Sequence, residues 1–121
     1  MATIKYTIPH IPPSLNKYAG RENTWEYRRD KKLWIDLIAC YCRQKPREAL
    51  KRVSVRILYY FPTKTRHDPD NYAGKFILDG LTHAGIIFDD SFDCIRLSLA
   101  GGYDKHNPRT EIEISEVEEW S

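Results

Sequence analysis

At 121 residues the chain is long enough for one hydrophobic core but not two, and its 41% hydrophobic, 12% aromatic and 30% charged makeup excludes a disordered or fibrous protein. No apolar run approaches the roughly 18 residues that cross a bilayer, and MATIKYTIPHIPPS lacks the apolar stretch of a secretion signal, so a cytoplasmic protein without membrane contact is expected. The formal charge of +2 hides a division: residues 1–67 hold 15 Lys/Arg against 5 Asp/Glu, whereas residues 68–121 hold 4 against 12.

In chain order the first element is a strand, Thr3–Ile8, in which Ile4, Tyr6 and Ile8 share one face. The segment PHIPPSLNKYAGREN that follows is too rich in Pro, Asn and Gly for a helix. A long helix is predicted over residues 25–45, because Trp34, Leu37, Ile38 and Tyr41 recur at helical spacing and Pro46 stops it. Arg28, Arg29, Lys31 and Lys32 crowd its early turns, and Trp25, Trp34 and Tyr41 are read as core. A strand over residues 51–61 alternates Val53, Val55, Ile57 and Tyr59. A second helix is predicted over residues 70–84, burying Ala73, Ile77, Leu81 and Ala84, with Gly85 as its stop. A short apolar segment, residues 86–88, then runs into Asp89-Asp90. Two last strands alternate Ile95, Leu97, Leu99 and Thr110, Ile112, Ile114, and the GGYDKHNP loop between them reads as a hairpin turn. The order β-α-β-α-β-β predicts an α+β fold: a single domain over residues 1–121, with a mixed β-sheet and two main helices packed on one side.

Cys40, Cys42 and Cys94 are an odd number without a C-x-x-C pair. They argue against a disulfide framework or a zinc ribbon and for a reducing compartment. The basic half joined to an acidic half points either to a polyanion partner plus a separate use for the acids, or to two solvated faces that pair within the fold. Lys17, Arg21, Arg28, Arg29, Lys31, Lys32 and Arg66 are candidates for a phosphate-tracking surface.

Four acids stand at the two ends of the second helix, Asp68 and Asp70 before it and Asp89 and Asp90 after it. An Asp at the N-cap, Pro at the first helical position and Asp in the first turn are ordinary helix-start chemistry, and turn chemistry accounts for one acid of the second pair. A helix of about four turns followed by a returning segment can nevertheless bring the two clusters side by side. Aspartate oxygens without His or Cys suit a hard cation, Mg²⁺ or Mn²⁺ rather than zinc, and such cations assist phosphoryl transfer. Adjacent residues of an extended backbone point to opposite sides, so only one of Asp89 and Asp90 is expected to be a ligand. An EF-hand is excluded, because Tyr72 and Ala73 stand where an oxygen ligand and a glycine are required. Lys75 is either an i,i+4 partner of Asp79 or a cation for the transferring phosphate or the leaving oxygen. His10, His67, His83 and His106 show no ligand spacing; His67, beside Asp68, reads either as a contact behind the acid or to DNA or, more simply, as a solvated loop residue.

The stretch DPDNYAGKFILDGLTHAGIIFDDS resembles the signature of the RusA family of Holliday-junction resolvases, small phage-type endonucleases. The shared features are D-x-D-N, a Lys in the following helix, a D-x-L, an A-G turn and a D-D pair; PPSLNKY resembles the family's Pro-Pro-Ser-x-Asn loop. The resemblance implies a homodimer that binds four-way DNA junctions and resolves them by paired symmetric nicks in recombination and repair. It implies Mg²⁺ or Mn²⁺ as the cofactor, no organic cofactor, and 5′-phosphate products. Carried over, Asp68, Asp70 and Asp90 are the metal ligands, Lys75 is the catalytic base-type residue, and Asn16 matches the loop Asn that helps shape the site. One residue more separates Asn71 from Lys75 than in the best-known members, which would rotate Lys75 by about 100° on a continuous helix. The competing readings are a basic nucleic-acid-binding module whose acids cap helices, and a nuclease for other branched DNA.

Overall fold

A computed structural model describes residues 3–18 and 24–118. Its elements are β1 (Thr3–Ile8), α1 (Thr24–Tyr41), β2 (Val53–Phe61), α2 (Lys75–His83), β3 (Ile95–Tyr103) and β4 (Arg109–Glu116), with short 3₁₀ turns at Leu15–Tyr18 and Pro69–Tyr72. The expected α+β order is therefore present. Alternation builds the sheet: Val53, Val55, Ile57, Tyr59 and Phe61 of β2 are buried, whereas Ser54, Arg56, Leu58 and Tyr60 face the other way. Thr110, Ile112 and Ile114 of β4 do the same against Glu111 and Glu113. Trp34 and Ile38 from α1 and Ile77 and Leu81 from α2 join these residues in one core. No described helix is long and apolar enough to cross a membrane.

The four strands run in the order β1-β4-β2-β3, with β2 parallel to β3 and β4 antiparallel to both β1 and β2. The expected hairpin between the last two strands is thus absent. Gly101, Gly102 and Tyr103 lie inside β3, and the chain then crosses the end of β2. Two backbone amides, of His106 and Asn107, donate to the Asp104 carboxylate at that crossing. Turn residues mark where a chain bends but not which strand it pairs with. In its inner slot β4 has a partner on each edge, β1 and β2, so both rows of its backbone N–H and C=O groups are paired.

Two helix expectations also change. α1 ends at Tyr41 rather than at residue 45, its last helical bond running from the Cys42 N–H to the Ile38 carbonyl at 2.8 Å. Pro46 lacks an N–H and its ring crowds the carbonyl four residues earlier, so the helix stops a turn before it. The Tyr6 hydroxyl then donates to the Gln44 carbonyl. Trp34 is core, but Trp25 is 68% exposed under the Arg29 guanidinium, and Tyr41 is exposed as well.

The predicted second helix is two pieces. After the Pro69–Tyr72 turn, Gly74 adopts φ +87° and caps α2. A Cβ at Gly74 would stand 2.7 Å from Ile57 Cδ1, so glycine both permits the left-handed backbone and lets it lie against β2. Asn71 and Lys75 therefore do not share one continuous helix, and the 100° rotation of a continuous helix does not apply.

Candidate active site

The first acid pair lies on an exposed turn. Asp68 occupies the cap position of the 3₁₀ turn in an extended conformation, with Pro69 following, and its backbone carbonyl accepts the Asn71 N–H at 3.0 Å. Its carboxylate makes no capping hydrogen bond. It accepts instead from Arg66 Nε at 2.9 Å. That hydrogen bond, with the neighbouring charges of Asp68 and Asp70, holds the Arg66 guanidinium above its ordinary pKa. Asp70 follows within the same turn and is separated from α2 by the Gly74 break.

The second pair belongs to a different neighbourhood. Lys75, the first residue of α2, donates to Asp79 Oδ1 at 3.2 Å, and Lys31 of α1 stands 3.7 Å from Asp79 Oδ2. Asp79 Oδ2 is buried and accepts no hydrogen bond. Asp90 lines a shallow groove with Lys31, Ile35, Asp79, Thr82 and His83. The hydrogen bond to Asp79 raises the Lys75 pKa against a smaller effect of burial, and the charge of Asp90 contributes to the rise. Lys75 thus feels the charge of Asp90 and follows Asp70 in the chain across the Gly74 break.

The N-terminal loop is fastened beside this arrangement. Its Leu15–Tyr18 turn packs on the Pro69–Tyr72 turn. Asp30, buried on α1, accepts from the Tyr18 hydroxyl at 2.6 Å, Lys17 Nζ at 3.0 Å and Arg29 at 3.4 Å. Burial pushes the Asp30 carboxyl up, but the Tyr18 and Lys17 hydrogen bonds outweigh it and the pKa is lowered. Tyr18 in turn sets its ring edge-on to Tyr27 and Phe76. Asp30 went unnoticed in the sequence, yet it had a signal: with Trp34 and Ile38 it forms an i, i+4, i+8 stripe, and a charge on an apolar stripe calls for partners.

Of the proposed phosphate-tracking bases, Lys17 pairs with Glu26 and Asp30, Arg29 with Glu26 and Asp30, Lys31 with Asp79, and Arg66 with Asp68. Arg28 and Lys32 are exposed on α1. Asn16 is exposed, its N–H donating to Ser14 Oγ at 3.2 Å. Arg21 lies outside the described residues. His67 is not a solvated loop residue: its ring stacks on Phe61 with centres 3.7 Å apart and planes 6° from parallel.

Asp68, Asp70 and Asp90 offer only carboxylate oxygens, the donor chemistry of a hard divalent cation. Among the described residues, no group of three or more His, Cys, Asp or Glu side chains stands close enough to hold a metal ion. Arg66 pairs with Asp68 and Lys75 with Asp79, so each cation offsets the carboxylate it touches. The family model described as Endodeoxyribonuclease RusA matches residues 9–115, a span containing every element from the N-terminal loop through most of β4. No curated protein matches the chain.

Proposed function

The chain belongs to the RusA endodeoxyribonuclease family, and we propose that it resolves four-way DNA junctions as a Mg²⁺- or Mn²⁺-dependent homodimer in recombination and repair. The observation that carries the proposal is the state of Asp68 and Asp70. They sit on an exposed turn, Asp68 makes no capping bond, and a broken helix separates both from the terminus they were expected to cap. In this reading Asp68, Asp70 and Asp90 hold the cation, which supplies charge neutralisation at the phosphate and an activated water.

The remaining chemistry is that of the chain's own groups. Lys75, its pKa raised by Asp79, is an ammonium at neutral pH. In this reading it serves as a cation toward the phosphate or leaving oxygen. Arg66, already beside Asp68, is placed to meet a phosphate when the carboxylate turns to another partner. Arg28, Lys32 and Asn16 supply further backbone contacts. A two-fold dimer presents two such sites to two symmetric phosphodiesters. The three free cysteines suit a reducing cytoplasm.

The test is incubation with a labelled four-way junction, a replication fork and a linear duplex, with Mg²⁺ and with EDTA. Paired symmetric nicks in the junction with Mg²⁺ support the reading. Nicking of the fork alone moves the substrate to other branched DNA. Binding without any cutting overturns the catalytic assignment.

A further inference from the structure

Beside Asp68 the sheet has a hole in its side-chain layer. On the face of β3 that continues the buried face of β2 the residues are Ile95, Leu97, Leu99, Gly101 and Tyr103, of which only Ile95 is buried, and Gly101 pairs with Tyr59 of β2 in the parallel register. The missing side chain at Gly101 leaves a cavity of about 130 Å³. A single water needs roughly 10–15 Å³ by the same measure, so this space admits a planar ring. It is lined by Tyr59, Phe61, His67 and Tyr72, with Leu99 to Gly101 as the far wall and Asp68 on its rim. The rings are mutually braced: His67 lies flat on Phe61, and Tyr72 meets Phe61 edge-on at 5.0 Å and 73°. A Cβ at Gly101 would reach Phe61 Cε2 at 3.6 Å, an ordinary contact, so packing alone does not require glycine there. A glycine inside a strand is a known mark of close approach by a ligand. Cations stand near the cavity: Arg66 is hydrogen-bonded to Asp68 on the rim, and Lys64, three residues before His67, sits over the Tyr103 ring at 4.9 Å.

Aromatic walls with cations around them are the arrangement that takes a base by its face and its strand by the phosphates. We propose that this pocket receives one nucleobase of the DNA strand whose phosphate lies at Asp68, unstacked at the branch point, and so sets the base preference of the nick. The proposal rests on the reading of the chain as a branched-DNA nuclease. It adds a base-specificity site that adjoins Asp68 and does not include Asp70, Asp90 or Lys75. An open branch point lowers the cost of extruding a base compared with intact duplex, which fits the pocket to this class of substrate.

The probe is 2-aminopurine, placed in turn at each position around the branch point of a four-way junction bound to the full chain in EDTA, where no cutting occurs. The expected result is one position at which fluorescence changes on binding to the wild-type protein. Gly101→Val, which fills the cavity from β3 with its Cβ in ordinary contact with Phe61 Cε2, abolishes that response, and junction affinity falls by no more than the roughly tenfold of one lost base stack. With Mg²⁺, the same variant lowers base selectivity at the nick by roughly tenfold or more, the fold-change of one lost base stack. Gly101→Ala adds a single methyl and gives a partial loss, so the test survives a valine variant that does not fold. A response unchanged in both variants overturns the pocket, as does a bound junction in which no position responds. A wild-type protein that binds no branched DNA overturns the parent reading and the pocket with it.

Discussion

The carboxylate of Asp68 accepts a hydrogen bond from Arg66 Nε at 2.9 Å and none from the turn it begins. An acid that caps nothing and is held by a cation two residues upstream leaves its charge open to exchange partners, which is what the proposed ligand role requires.

Replacing Arg66 with Gln tests whether the guanidinium meets DNA. Arg66 is 87% exposed, so its loss should leave the melting temperature unchanged. Junction affinity should fall, and the slope of log K against log salt should flatten by about 0.9, the share of one phosphate contact. An unaltered slope, measured by titration at several salt concentrations, removes Arg66 from the interface.

Asp70→Asn separates a metal ligand from a helix-start residue. With Asp70 on a turn that α2 does not continue, the charge–dipole cost of about 0.3–1 kcal/mol expected at a helix N-terminus should not appear. Thermal stability without metal should therefore hold, and junction binding should persist or tighten. Nicking should fall by more than the roughly 10–100-fold that the outer partners of metal ligands contribute. A variant that still cuts at wild-type rate refutes the assignment.

Gly74→Ala places a Cβ in a left-handed residue and 2.7 Å from Ile57 Cδ1. The two penalties together predict a loss of about 2–4 kcal/mol, read from the urea midpoint. Nicking by the folded fraction should also slow, because Lys75 is the next residue. A neutral variant would show that the break is not required.

Asp30→Asn leaves the N-terminal loop held by weaker, uncharged bonds. Losing charge-assisted bonds to Lys17 and Tyr18 should cost about 1.5–3 kcal/mol. The pH dependence has a definite sign. The folded pKa lies below the ordinary 3.8, so the stabilisation is complete above that value and is lost as pH falls through the lowered folded value. Acid denaturation of wild type and variant should therefore converge at low pH. Parallel curves would place the loop's anchor elsewhere.

Much of this arrangement was legible in the sequence because it rests on local periodicity. Alternation located β2 and β4 to within two residues, and the acid turn announced itself by spacing. What escaped depends on partners distant in the chain. Nothing near Thr110 says that β4 slips between β1 and β2. Nothing near Gly74 says that Ile57 is pressed against it. The stacking of His67 on Phe61 requires the end of β2 to curl back over the loop. Asp30 was readable in principle, as a charge on a buried stripe, but its three donors could be found only in three dimensions.

The central place of β4 has a consequence for synthesis. Thr3 pairs with Ser115, and β1 and β2 meet only through β4. A nascent or prematurely terminated chain that stops before residue 109 already carries Asp68, Asp70, Lys75 and Asp90, yet among the described residues its strands pair only through the parallel β2–β3 ladder, beside the isolated Leu50–Ile87 bridge. Such a fragment holds the full set of candidate cutting groups without the framework that positions them. Competence thus arrives late in translation, and unfinished copies are poor nucleases and ready substrates for proteolysis.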